Sequence, residues 1–231
     1  MKFTLLILLS VVGMASGADL SKPLATPGKL LFADDFERAE LGKDWKQVIG
    51  TFSARDGVMV GSQTRADHGA VGRVSVPMKD AVVEFRFQLA GSTSVNCVFD
   101  DRTYKGSHAG HICRVALTPR QIRLGDDKEG VMRNDIFEMR RDPQRKKAAD
   151  KLLVGRGTAI KASLKQNQWY QVRIEIVDDE MRVSLDGKPI GRLQSSGLAH
   201  PTKSSFHFTV NGKDALFDDV KIWNAAPVSS N

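Results

Sequence analysis

The feature that most constrains this chain is a period of two. Across residues 81–89, Val83, Phe85, Phe87 and Leu89 alternate with Glu84, Arg86 and Gln88, the pattern of a strand with one buried and one polar face. Val95, Cys97 and Phe99 repeat it with Asn96 opposite. So do Tyr170, Val172, Ile174 and Ile176, and then Phe206, Phe208 and Val210 against His207 and Thr209. Residues 181–185 end on Asp186-Gly187, a tight-hairpin dipeptide, and Val220, Ile222 and Trp223 close the series. Short strands with a turn signal every ten or so residues predict an all-β fold of two antiparallel sheets packed face to face. Alternating βα units are absent, which argues against doubly wound and barrel folds. A chain of 231 residues accommodates this as one domain.

Lys2, the short apolar run at 3–12 and the small residues Ala15, Ser16, Gly17 and Ala18 have the form of a secretory signal peptide over 1–18. The expected mature protein is secreted or periplasmic, with a lead-in at 19–29, the sandwich at 30–224 and a tail at 225–231. No apolar run reaches 18 residues, so no membrane-spanning helix is expected. Export permits a Cys97–Cys113 disulfide, and two buried free thiols fit the apolar surroundings equally well.

One stretch breaks the pattern. Residues 132–165 carry ten Lys or Arg against four Asp or Glu, nearly all of the chain's net charge of +7. Asp142-Pro143 reads as a helix start, predicting one short helix over 143–153 within an insertion at about 130–165. Such a segment could bind a polyanion, such as an acidic polysaccharide or nucleic acid, or dock on an anionic cell surface; a solvated helix face is its ordinary role. Nucleic acid is disfavoured by the export signal and by Phe137 being the only aromatic among these basic residues.

Several chemistries are excluded or left open by motif. There is no Gly-x-Ser-x-Gly elbow, P-loop or His-Glu-x-x-His. Asp135 and Glu138 invite comparison with the carboxylate pair of retaining glycosidases, but Arg133 stands where the nucleophile would be. His108 and His111 follow Asp100 in a segment joining two predicted strands, where acid/base groups or ligands for a divalent cation could sit. No cofactor is specified, and the acidic doublets mostly fit turn chemistry. His207 would share an outward face with Glu84, Arg86, Asn96 and Arg114 if their strands lie in one sheet. Amide and charged groups on such a face suit sugar hydroxyls, and a solvated face carries them too.

Phe32-Ala-Asp-Asp-Phe-Glu-Arg, Leu41-Gly-Lys-Asp-Trp and Gly50-Thr-Phe-Ser-Ala-Arg-Asp-Gly, with Gln168-Trp-Tyr, Ser184-Leu-Asp-Gly-Lys-Pro-Ile and Leu216-Phe-Asp-Asp-Val-Lys-Ile, resemble the secreted concanavalin-A-like jelly rolls. Among these the chain is most similar to the 3-keto-disaccharide hydrolase, or laminarinase-like, group. The resemblance covers about 30–117 and 166–224, and its motifs describe strands and turns more than chemistry. It implies a two-sheet jelly-roll sandwich, a carbohydrate partner and cleavage of oxidised glycosides. The matching motifs carry over no catalytic group; on the chemistry of their own segments Glu84, Asp100, His108 and His111 are the candidate catalytic residues, and Arg86, Asn96, Arg114 and His207 the candidate substrate-binding residues. A glycan-binding or envelope-docking module without turnover is the competing expectation.

Overall fold

The computed structural model describes Leu20 and residues 22–228; the expected signal peptide lies outside them. The strands are β1 (Thr26–Asp34), β2 (Trp45–Ile49), β3 (Thr51–Arg55), β4 (Val58–Ser62), β5 (Ala70–Met78), β6 (Ala81–Asp100), β7 (His111–Thr118) and β8 (Gln121–Asp126). Two helices follow, α1 (Asn134–Arg141) and α2 (Lys146–Leu152). Then come β9 (Gly157–Lys161), β10 (Trp169–Val177), β11 (Glu180–Leu185), β12 (Lys188–Gln194) and β13 (Lys203–Ala226). Every named strand pair is antiparallel, so the fold is the expected jelly-roll sandwich.

Two long strands build both layers. β6 and β13 pair along their whole length, from Ser205 opposite Asp100 to Asn224 opposite Ala81. Their 81–89 and 214–226 halves belong to one layer, flanked by β10, β11 and β12 on one side and by β1, β4 and β3 on the other. The 95–100 and 203–211 halves belong to the second, flanked by β7, β8 and β9 and by β5 and β2. The crossover falls where the register slips between Asn211 and Ala215. Gly91 (φ 101°) and Gly212 (φ 89°) adopt there a backbone that residues with a side chain rarely take.

The alternating apolar residues meet between the layers. Phe208 stacks on Phe217 at 4.0 Å and packs edge-on against Phe85 at 5.1 Å and Phe206 at 5.0 Å, all fully buried or nearly so. A Phe208→Ala variant should lose about 3–5 kcal/mol in a denaturant titration. The opening motifs form one knot. Asp34 accepts hydrogen bonds from the Phe36 amide (2.9 Å), Arg38 (2.6 and 2.7 Å) and Trp45 Nε1 (2.8 Å), so that Trp45 closes over Phe32 and Phe36. Arg38 and Asp34 hold each other in the charged state against the burial of the carboxylate.

Several expected boundaries move. β1 begins at Thr26, inside the expected lead-in, and β13 runs to Ala226. The insertion carries two helices rather than one, and Gly157–Lys161 leaves it to pair with β8. Asp142 accepts from the Gln144 amide in a local turn, and the second helix starts at Lys146. Cys97 and Cys113 are free and buried. Cys97 sits opposite Val115 and Cys113 opposite Phe99, a diagonal pair about 7–8 Å apart where a disulfide needs Cβ atoms about 4 Å apart. Burial pushes both thiols up, out of the reactive range.

Candidate functional site

The outer face of the second layer carries the chemistry. Pairing sets Gly125, Arg114, Val98, His207 and Arg73 side by side across β8, β7, β6, β13 and β5. The next row is Ala159, Arg123, Ala116, Asn96, Thr209 and Val71. Directly opposed residues point to the same side of a sheet, so Asn96, Arg114 and His207 share this face.

Asp100, at the end of β6, organises it. A slip in the β6–β7 register sets His111 opposite Asp100, right after the Phe99–Cys113 pair, and a bulge of this kind re-aims a side chain. The Asp100 carboxylate, fully buried, lies 2.6 Å from His111 Nδ1 and 3.0 Å from His207 Nδ1, with Arg73 Nε at 3.7 Å. Burial alone would raise its pKa, but the two imidazoles outweigh that and hold it well below the usual carboxylate range. An ionised carboxylate only accepts, so each Nδ1 donates to it. Burial lowers the pKa of His207, overcoming the opposing pull of Asp100, so this ring is neutral at physiological pH.

His108 stands in the turn before β7. Gly110 must be glycine there, because a Cβ would come within 2.2 Å of the Asp101 carbonyl oxygen. The turn is tied to the insertion: the His108 amide donates to the Met132 carbonyl at 2.7 Å, and the Asn134 side chain donates to the Lys105 carbonyl at 2.7 Å. Phe137, on α1, stacks flat on the His108 ring at 4.1 Å and 9°. Partial burial, and then the neighbouring His111, lower the His108 pKa. Its ring nitrogens make no hydrogen bond among the described residues, so it presents a neutral, unoccupied base.

These groups line one open cleft of about 430 Å³. His108, His111, His207, Asn96 and Arg114 form its floor and one end, Met132 and Phe137 stand on one side, and Gln63 and His68 stand on the other. The insertion is therefore a wall of the cleft rather than an appendage. Asp100, His111 and His207 each offer an atom within 4.8 Å of the others, and two imidazoles with one carboxylate are a donor set suited to a divalent transition metal.

Two expected members are elsewhere. Glu84 and Arg86 lie on the half of β6 that belongs to the other layer, beyond the crossover at Gly91. Glu84 pairs with Arg173 at 2.5 Å; Arg86 pairs with Asp218 at 3.0 Å and lies over the Trp169 ring at 4.9 Å. Asp135 and Glu138 are exposed on α1, where Asp135 pairs with Arg133 at 2.7 Å, so no glycosidase-like carboxylate pair forms. Arg73 was not among the residues expected from sequence, since only the β5–β13 pairing brings it beside His207.

In its fold, a jelly-roll sandwich, the chain is similar to several solved structures. The solved structures it is similar to include the carbohydrate-binding module CBM66 from Bacillus subtilis (15% identity, TM-score 0.53, 78% of this chain and 96% of that one). They also include the laminarinase from Rhodothermus marinus (13%, TM-score 0.58, 87% and 99%) and a Bacillus subtilis protein of unknown function with a galectin-like fold (14%, TM-score 0.60, 88% and 100%). No family model and no curated protein matches the sequence.

Proposed function

We propose that the protein is an exported carbohydrate-active jelly roll whose Asp/His cleft cleaves 3-keto-glycosides. The observation that carries this reading is the convergence of His108, an unengaged neutral base, with an Asp100-anchored pair of imidazoles in one cleft lined by sugar-compatible amide and guanidinium groups. The jelly-roll structures with carbohydrate-directed names add support by likeness of fold.

A 3-keto group acidifies the proton on C2. His108 takes that proton, a double bond forms between C2 and C1, and the C1–O bond breaks with its electron pair leaving on the glycosidic oxygen. The departing oxygen takes a proton from water in the open cleft, and Asp100 holds His111 in place beside it. Water then adds across the double bond to give the free keto-sugar. Arg114 faces the keto oxygen as developing charge builds there, and Asn96 and Thr209 orient ring hydroxyls. A divalent metal bound to Asp100, His111 and His207 would supply further polarisation of the keto oxygen.

The test is incubation of the mature protein with 3-keto-glycosides and their unoxidised parents, with and without chelator, following aglycone release. Turnover of the keto forms alone supports the reading, and loss of turnover on chelation assigns the metal role. Binding of both forms without turnover supports the second reading, a glycan-binding module, which the CBM66 likeness favours.

A further inference from the structure

The cleft does not stop at the His/Asp cluster. Past Asn96, Arg114 and Met132, which it shares as a common wall, a second hollow of about 480 Å³ runs over β7, β8 and β9 under the insertion. Val131 and Leu153 give it apolar patches, and four arginines line it: Arg114, Arg123, Arg140 and Arg156. Two buried carboxylates answer two of these charges. Asp127 accepts from Arg114 Nε at 2.6 Å. Asp126 lies 3.7 Å from Arg156 and is further bonded by Ser195 and by the Gly197 and Glu129 amides. Arg123 and Arg140 have no acidic partner among the described residues; Arg123 meets only the neutral amide of Gln121. Arg114 Nη2 and Asp127 Oδ1 are buried and also lack a hydrogen-bond partner among them, an arrangement that a bound polar ligand would complete.

We propose that this hollow is an anion-reading subsite, so that the carbohydrate taken by the cleft is acidic and its carboxylate or sulfate is held by Arg123 and Arg140. The inference rests on the proposed carbohydrate role of the adjoining cleft. A planar guanidinium matches the two oxygens of a carboxylate or sulfate, and the unpaired Asp127 oxygen accepts from a sugar hydroxyl. The positive charge noted at 132–165 then serves substrate choice through Arg140 and Arg156, while Lys147 and Lys151 on α2 lie off the hollow.

Binding of paired probes to the mature protein tests this: tetragalacturonate against its methyl ester, and a κ-carrageenan tetrasaccharide against its desulfated parent. At low salt an acidic member should bind at least about tenfold tighter than its neutral twin, and the preference should shrink as salt rises. The pair that shows the preference identifies the anion as carboxylate or sulfate. Arg123→Gln with Arg140→Gln should bring the twins to within about twofold. Lys147→Gln with Lys151→Gln, which removes the same charge, should leave the preference standing. Equal binding of acidic and neutral twins, or equal loss in the lysine variant, overturns the subsite and leaves the cleft reading intact. Binding of no probe also overturns the subsite, while turnover of the 3-keto-glycosides decides the cleft reading separately.

Discussion

The same two strands present two outer faces, one in each layer, and the faces use polar groups in opposite ways. On the first, Arg173 donates to both Glu84 and Glu175, and Arg86 is taken up by Asp218. Glu175 also reaches the Leu24 and Ala25 amides, fastening the chain that leads into β1. On the second, Asp100 collects two imidazoles, and among the described residues His108 is left unbonded and Arg73 Nε, Arg114 Nη2 and Asp127 Oδ1 are buried without hydrogen-bond partners. Strand alternation makes both faces polar; what separates a solvated face from a site is whether its groups are consumed by each other.

The largest effect should come from the group that holds the second face together. Asp100→Ala leaves His111, His207 and Arg73 without their anion, and breaking buried ionic contacts of this kind costs about 3–5 kcal/mol. Denaturant titration should show that loss, and turnover should fall at least about hundredfold. If stability is unchanged, the face is not organised by Asp100. His108→Ala should separate chemistry from folding: turnover falls about 10²–10⁴-fold, while stability drops by about 1 kcal/mol, the worth of a ring stacked on Phe137. A variant that keeps full turnover removes His108 from the mechanism.

Acid should act on the second face before the first. His207 has a folded pKa below its ordinary 6.5, so the unfolded chain binds more protons as pH drops below 6.5. The stability this group contributes is complete above that value and is lost as pH falls through the lowered pKa. Asp100 adds a second loss below its ordinary 3.8, as it too protonates less readily when folded. Melting temperatures from pH 8 to 4 should therefore decline on the acid side, and His207→Gln should flatten the portion just below pH 6.5. An unchanged slope in that variant would dismiss His207 as the source. The smallest effect belongs to the first face. Glu84→Gln should leave turnover within about twofold and cost about 1 kcal/mol or less, as for partly exposed ion pairs; a collapse of turnover would return Glu84 to the site.

Much of the fold was legible because alternation is local. The 81–89, 95–99, 169–177 and 205–210 runs all became strands, and Asp186-Gly187 took positive φ at both residues, as a tight hairpin requires. The grouping of Asp100, His108 and His111 was visible because they lie within one strand-to-strand connection. Face-sharing was only half legible. Asn96, Arg114 and His207 do meet, but Gly91 moves Glu84 and Arg86 into the other layer, and a lone glycine in a strand signals a bend without saying where the strand goes next. Arg73 and Arg123 were missed because long-range pairing alone brings them to the cleft. The helix at α1 was missed because Asp142-Pro143 drew the helix start downstream.

The continuous pairing of β6 with β13 also has a kinetic meaning. Its partners are separated by more than a hundred positions in the chain, so the central ladder of both layers forms only after a very large loop has closed. Folds dominated by such distant contacts assemble slowly, over milliseconds to seconds. Neither layer owns a central strand of its own, so neither can nucleate or open as a separate unit. Amide exchange at the cleft floor should therefore proceed only through global unfolding, at the same rate as exchange in the opposite layer.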